Sequence, residues 1–243
     1  MHDLNCWESK FECCYYANRL ITKIIFLNKN NCINDQVNLT EVKKAIYYAK
    51  KYHGSQKRIS GEPYYSHPLE VAYLVSNYLF STEAMVVSIL HDTIEDTELT
   101  SDMIGLIFNP EIASKVNDLT RIRFGKKITS TEILEQLYAE QKKDGLIIKL
   151  FDRLHNLHTI NVKSIDKIKH TVLETLKSFL TVAAYCQLKD IENMLSRLCF
   201  SIQLQLNLLE EQYYCFSYDN FRLPYLNHQN NILQMCSRLE LEL

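Results

Sequence analysis

Three short stretches of the 243-residue chain carry side chains able to hold a cation. Ser66-His67-Pro68 places a histidine at the mouth of a helix. Leu90-His91-Asp92 puts adjacent His and Asp at the end of an apolar helix. Phe151-Asp152-Arg153-Leu154-His155-Asn156 lies in a helix whose other face is Ile147, Ile148, Leu150, Leu154 and Leu157. Each stretch alone has an ordinary reading: His-Pro as a turn, His-Asp as a chance pair, Asp152 as the partner of Arg153 or Lys149 on a solvated face. Together, two histidines and two aspartates on three helices make a mixed nitrogen and oxygen donor set. That set suits manganese, iron or zinc better than magnesium alone.

Further polar groups flank these stretches. Asp152, Asn156 and Thr159 are spaced i, i+4 and i+7 and line one helical stripe. The first can hold an ion while the other two face a ligand, although a plain solvent stripe has the same spacing. Glu95 and Asp96 lie just past His91-Asp92. A carboxylate not used as a ligand can orient a water and take its proton, once a cation has lowered that water's pKa from 15.7 to about 7–9. Surface or capping carboxylates are the plainer alternative. Arg58, in the loop Gln56-Lys57-Arg58-Ile59-Ser60-Gly61-Glu62-Pro63-Tyr64-Tyr65, is a planar cation suited to stacking on a base or bridging phosphates. With Arg121, Arg123, Lys126, Lys127 and Lys169 it offers the local basic cluster an anionic substrate requires, whereas most single Lys or Arg residues are solvated surface charges.

Helices must deliver these groups. Only 5 Gly and 4 Pro are present, too few for repeated tight turns, sandwiches or Gly-rich phosphate loops, so the composition points to an all-α protein. Hydrophobic residues make up 47% and charged residues 23%, and a chain of this length buries roughly 70% of its unfolded surface without disulfides. The net charge of -2 counts against a general nucleic-acid or anionic-membrane binder. The eight cysteines fall towards the two ends, with no Cys-x-x-Cys pair, and no signal peptide or bilayer-length apolar run is visible. Reduced thiols in a cytoplasm are expected.

Residues 1–38 read as one or two helices, with Ile21, Ile24, Ile25 and Leu27 apolar, packing on the domain or on a second subunit; a homo-oligomer stays open. Thr40 is the expected N-cap of a helix running to about His53 through Val42, Ala45, Ile46 and Ala49. Pro68 suits the first turn of the next, with Val71, Ala72, Val75 and Leu79 inward. Ser81 or Thr82 caps a third, which ends at His91-Asp92. Thr100 with Asp102, and then Asn109-Pro110, open two more. A basic loop spans 121–130. Helices are expected at about 131–142, 144–160, from Asp166 through Leu188, and 189–209, with no strand-like alternation. The tail from Gln212 is aromatic and Asn-rich, with no assigned role.

Taken together, these stretches resemble the hydrolase domain of the RelA/SpoT homologue family, metal-dependent (p)ppGpp pyrophosphohydrolases of the HD superfamily. The matching text runs from Arg58 to Ala72, from Leu90 to Thr97, and from Asp152 to Leu157, with a looser match through Glu174-Thr175-Leu176 to Leu198 and Phe200. Coverage is about residues 40–204. The resemblance implies an HD-superfamily helical bundle built around one metal site, with helical N- and C-terminal extensions. It implies Mn²⁺ held by His67, His91, Asp92 and Asp152, with Glu95 and Asp96 activating the attacking water. Arg58 would stack on guanine, Ser60, Tyr64, Asn156 and Thr159 would surround the nucleoside, and Lys169 would touch phosphate. His53 and His155 match family histidines as structural neighbours. The reaction implied is removal of the 3′-pyrophosphate of ppGpp or pppGpp, giving GDP or GTP.

The chain departs from the family pattern in places. The stretch between Leu119 and Leu146 diverges, Phe151 stands where a small residue is usual, and His158 replaces a usual Arg. The Pro-Leu-Ala-x-Arg-Leu-Gly stretch is degraded to Thr181-Val182-Ala183-Ala184-Tyr185-Cys186-Gln187. The expected organisation is an extension at 1–38, a hydrolase domain at 39–204 and a tail at 205–243, with no synthetase activity. The competing readings are a related phosphohydrolase of another nucleotide, such as NADPH, and a decayed, non-catalytic binding module.

Overall fold

The computed structural model describes residues 7–30, 36–123 and 126–206. Helices α1 (Trp7–Lys10) and α2 (Tyr15–Asn30) lead into α3 (Leu39–His53), α4 (Ser66–Val75), α5 (Thr82–Leu90), the single turn α6 (Thr93–Asp96), α7 (Ser101–Ile107) and α8 (Pro110–Leu119). After a two-residue ribbon come α9 (Ser130–Ala139), α10 (Lys143–His158), α11 (Ile165–Glu174), α12 (Leu180–Tyr185) and α13 (Lys189–Gln205). The all-α expectation holds. The ribbon, β1 (Ile122–Arg123) against antiparallel β2 (Lys126–Lys127), is an element the sequence reading lacked. Residues up to Phe200 form one compact unit; of the second, Ser201–Leu243, residues 201–206 are described. The aromatic tail from Gln212 therefore lies outside the described residues, as do Cys6, Cys32, Cys215, Cys236 and the side chain of Arg123. Among the described residues Cys13, Cys14, Cys186 and Cys199 are free thiols, and no helix is long and apolar enough to cross a membrane.

Local chemistry explains most boundaries. Ser81, Thr100 and Asn109 cap α5, α7 and α8 by accepting from Ala84, Met103 and Ile112 N–H groups. Thr129 and Glu132 form a reciprocal capping box on α9. The cap of α3 is Asn38 rather than Thr40: its side chain accepts from Thr40 and Glu41 N–H, and its own N–H is tied to Thr82 Oγ1 at 2.8 Å. Helix α4 stops at Val75, so Leu79 lies beyond it, half-buried. The run expected from Asp166 to Leu188 is broken by a π-helical segment, Thr175–Phe179, in which Thr175 Oγ1 donates back to the Thr171 carbonyl.

The core lies where α3, α4, α5 and α10 meet, with α2 laid over α3 and α4. Val42, Ile46, Val71, Val75, Met85, Ile89, Leu146 and Leu150 are all fully buried there. Phe151, the bulky departure beside Asp152, is 1% exposed and tilts against the Tyr78 ring at 5.0 Å between centroids. Phe151→Ala should cost about 3–5 kcal/mol of stability, read as a lower urea midpoint with an unchanged slope.

Candidate active site

The ligand candidates come from three places in this frame. His67 sits in the first turn of α4. His91 closes α5, and Asp92 opens α6, its backbone carbonyl accepting the Glu95 and Asp96 N–H groups at 3.2 and 3.0 Å and leaving its carboxylate free of the helix end. Asp152 projects from the middle of α10. His67 Nε2 lies 3.1 Å from Asp152 Oδ1 and 3.4 Å from Asp92 Oδ2; His91 Nε2 lies 3.0 Å from Asp92 Oδ1 and 3.8 Å from Asp152 Oδ1. His67, His91 and Asp152 are buried, and their donor atoms lie within 4.8 Å of one another.

The surrounding bonds aim these groups. His91 Nδ1 donates to the Ser88 carbonyl at 2.7 Å, which turns Nε2 towards the cluster. That nitrogen is buried, with the Asp92 and Asp152 carboxylates as its neighbours at 3.0 and 3.8 Å. His67 Nδ1 lies 2.8 Å from His155 Nδ1. Burial, aided by the charges of His67 and Arg58, pushes His155 down to about 3, so it stays neutral and can accept the His67 Nδ1 proton. Asp152 Oδ2 accepts from Lys149 Nζ at 2.8 Å, and Oδ1 accepts from Asn156 Nδ2 at 2.6 Å. Burial opposes ionisation of Asp152, but Lys149 and the two histidines hold it well below the usual carboxylate range. Burial also opposes charging His91, yet Asp92 and Asp152 push it up to about 10. The cluster thus favours a cation, and two neutralisable imidazoles with two carboxylates suit a divalent one. His155→Ala should weaken Mn²⁺ binding about 10- to 100-fold by calorimetry, and His155→Asn, still an acceptor, should restore most of it.

A cavity of about 750 Å³ adjoins the cluster, within the range of small-molecule sites. Arg58, Ser60, Tyr64, Glu95, Asp96, Asn156 and Thr159 all line it, with His67, Asp92 and Asp152. Lys169 does not line it; Lys163 does. Among the described residues seven Lys or Arg and five carboxylates line this space, so it is net positive in a chain of charge -2. Lys149, Arg153, Lys163 and His170 are lining residues that the sequence reading gave no ligand role. Burial, with Arg58 and Arg153 nearby, holds Lys163 below its ordinary value.

The two carboxylates past Asp92 have different surroundings. Glu95 is gripped by Arg121, whose Nε and terminal nitrogen donate at 3.1 and 2.7 Å, and by Lys127 Nζ at 2.9 Å. Burial would raise its pKa, but these cations bring it below the ordinary value. Among the described residues Asp96 makes no ion pair with a Lys or Arg; it accepts from the Tyr64 hydroxyl at 2.7 Å. Burial and the charges of Asp92 and Glu95 raise it. Tyr64 therefore spends its hydroxyl on Asp96, while its ring stacks on His53 at 4.9 Å and lies 5.6 Å below the Arg58 guanidinium. Arg58 donates to Asn156 Oδ1 at 3.2 Å and keeps a second buried nitrogen without a partner.

An all-helical bundle with clustered histidines and aspartates beside a nucleotide-sized cavity is the plan of the HD domains. A model of the HD domain family matches residues 45–184, and the chain belongs to that family. It is 38% identical over 170 residues to a GTP pyrophosphokinase rsh of Brucella ovis, covering 68% of this chain and 23% of that protein. It is 31% identical to a guanosine-3′,5′-bis(diphosphate) 3′-pyrophosphohydrolase of Spiroplasma citri, covering 70% and 24%. A probable enzyme of that name from Mycoplasma genitalium is 30% identical, covering 82% and 31%. The chain thus spans about a quarter to a third of the length of these relatives. The solved structure titled "A metazoan ortholog of SpoT hydrolyzes ppGpp and plays a role in starvation responses" shares the fold, with a TM-score of 0.55 and 21% identity over 70% of this chain and 97% of that one.

Proposed function

We propose that the protein hydrolyses the 3′-pyrophosphate of ppGpp or pppGpp, releasing pyrophosphate and GDP or GTP. The observation that carries this reading is the net-positive cavity joining Arg58 and Asn156 to the His67, His91, Asp92 and Asp152 cluster. The likeness to curated pyrophosphohydrolases along most of the chain supports it.

His67, His91, Asp92 and Asp152 would hold Mn²⁺. A divalent ion, when bound, acidifies water and draws charge from phosphoryl oxygens. The chain's own groups then have distinct tasks. Asp96, fixed by Tyr64, takes the proton of the attacking water. Arg121 and Lys127, now on Glu95, are the cations a polyphosphate would recruit, and their departure frees Glu95 to assist at the same water. Arg58 presents its guanidinium plane to the base, oriented by Asn156 and backed by the Tyr64 ring. Ser60 and Thr159 line the same space. Purified protein with ppGpp, assayed with Mn²⁺ and again after chelation, tests the reading. Metal-dependent release of pyrophosphate and GDP, with no pppGpp made from ATP and GTP, is the expected outcome. No pyrophosphate release, or faster turnover of NADPH, would overturn it.

A further inference from the structure

Lys149 is the one cation of the cavity seated directly on a ligand candidate among the described residues. It is 6% exposed, and its Nζ lies 2.8 Å from Asp152 Oδ2, while Asp152 Oδ1 faces the histidines. Arg153 has in Glu174 a carboxylate that is no ligand candidate. The partner of Lys149 is Asp152 itself. With a dication in place, Asp92 and Asp152 together neutralise it, and the Lys149 ammonium becomes a buried positive charge without a counter-charge. A buried lone ammonium is costly and attracts an anion. Its place on α10 gives that anion a direction. Lys149 stands one turn before Asp152, and Asn156, bonded to Arg58, one turn after; about 10 Å of helix separates the two.

We propose that Lys149 binds an anionic phosphoryl oxygen beside the ion, so that the substrate lies along α10 with phosphorus towards Lys149 and base towards Asn156. The proposal rests on the hydrolase reading for its substrate, but its test does not require turnover. Inorganic phosphate is titrated into the Mn²⁺-loaded full chain, with phosphorus NMR relaxation reporting its approach to the ion and calorimetry reporting Mn²⁺ affinity. Lys149→Met and Lys149→Gln should weaken phosphate about 10- to 100-fold while Mn²⁺ binds as tightly as before or tighter, because Asp152 loses a competitor. Lys149→Arg, which keeps the charge, should recover much of the phosphate affinity. Unchanged phosphate affinity in the neutral variants, or Mn²⁺ affinity or melting temperature falling in both, overturns the proposal and makes Lys149 a structural partner of Asp152. Lys149-dependent phosphate binding in a protein that leaves ppGpp intact would sink the hydrolase reading and leave this one standing.

Discussion

Asp152→Asn abolishes Mn²⁺ uptake and slows pyrophosphate release from ppGpp by about a thousandfold or more, the largest effect expected of any single substitution. The carboxylate stands at the centre of the cluster: its Oδ1 is 3.1 Å from His67 Nε2 and 3.8 Å from His91 Nε2. An amide there removes a charge and also sets an N–H group against either Lys149 or Asn156, both donors to the present carboxylate. Calorimetry in buffers of different ionisation enthalpy adds a check. Because His91 is pushed up to about 10 by its two carboxylate neighbours against the pull of burial, Mn²⁺ uptake near neutral pH expels a proton, and affinity climbs with pH. An Asp152→Asn protein that still takes up Mn²⁺ within threefold of wild type would remove the metal assignment.

The second large effect separates the neighbouring carboxylates. Asp96→Asn should lower kcat by about 10²- to 10⁴-fold with Mn²⁺ affinity intact, because it deletes the proton acceptor and leaves the ion's ligands in place. Glu95→Gln should act more on KM, by loosening Arg121 and Lys127 from their anchor. The pH dependence follows from the sign of the Asp96 shift. Burial and two nearby carboxylates raise its pKa, and the base works only when deprotonated. Activity therefore falls as pH drops through that raised value, at higher pH than an ordinary aspartate would impose. The acid limb should flatten in Asp96→Asn. Equal losses in both variants, with no change in the limb, would show that the two carboxylates share one role.

The parts of the site legible in the sequence were those coded by residue type and adjacency. His67 before a helix-starting proline, His91 beside Asp92, and Asp152 with Asn156 four residues on need no knowledge of distant partners; the structure clusters His67, His91 and Asp152, and His67, Asp92, Asp152 and Asn156 line one cavity. What escaped depends on contacts across the chain. Thr40 and Asn38 are both good caps, and the choice falls to Asn38 because Thr82 holds its backbone, 44 residues away. A ribbon of two residues per strand shows no alternation to read, yet it carries Lys127 to Glu95. Lys163 lines the cavity from the loop before α11 and Lys169 from within that helix does not, a matter of helix rotation that charge alone does not encode. The resemblance implies Tyr64 around the nucleoside; its side chain lines the cavity, and what the sequence does not encode is that its hydroxyl goes to Asp96, 32 residues on.

Helix α10 has one further consequence. It presents Lys149, Asp152 and Asn156 to the cavity and Leu150, Phe151 and Leu154 to the interior, with no change of hand along its length. Each residue added to a helix turns everything beyond it by about 100°. One insertion upstream of Phe151 would carry Phe151 into the place of the carboxylate and Asp152 into that of Arg153, and a gain or loss of about seven residues would restore the phase. The count of residues along α10 before Asp152 is therefore fixed by the site it serves.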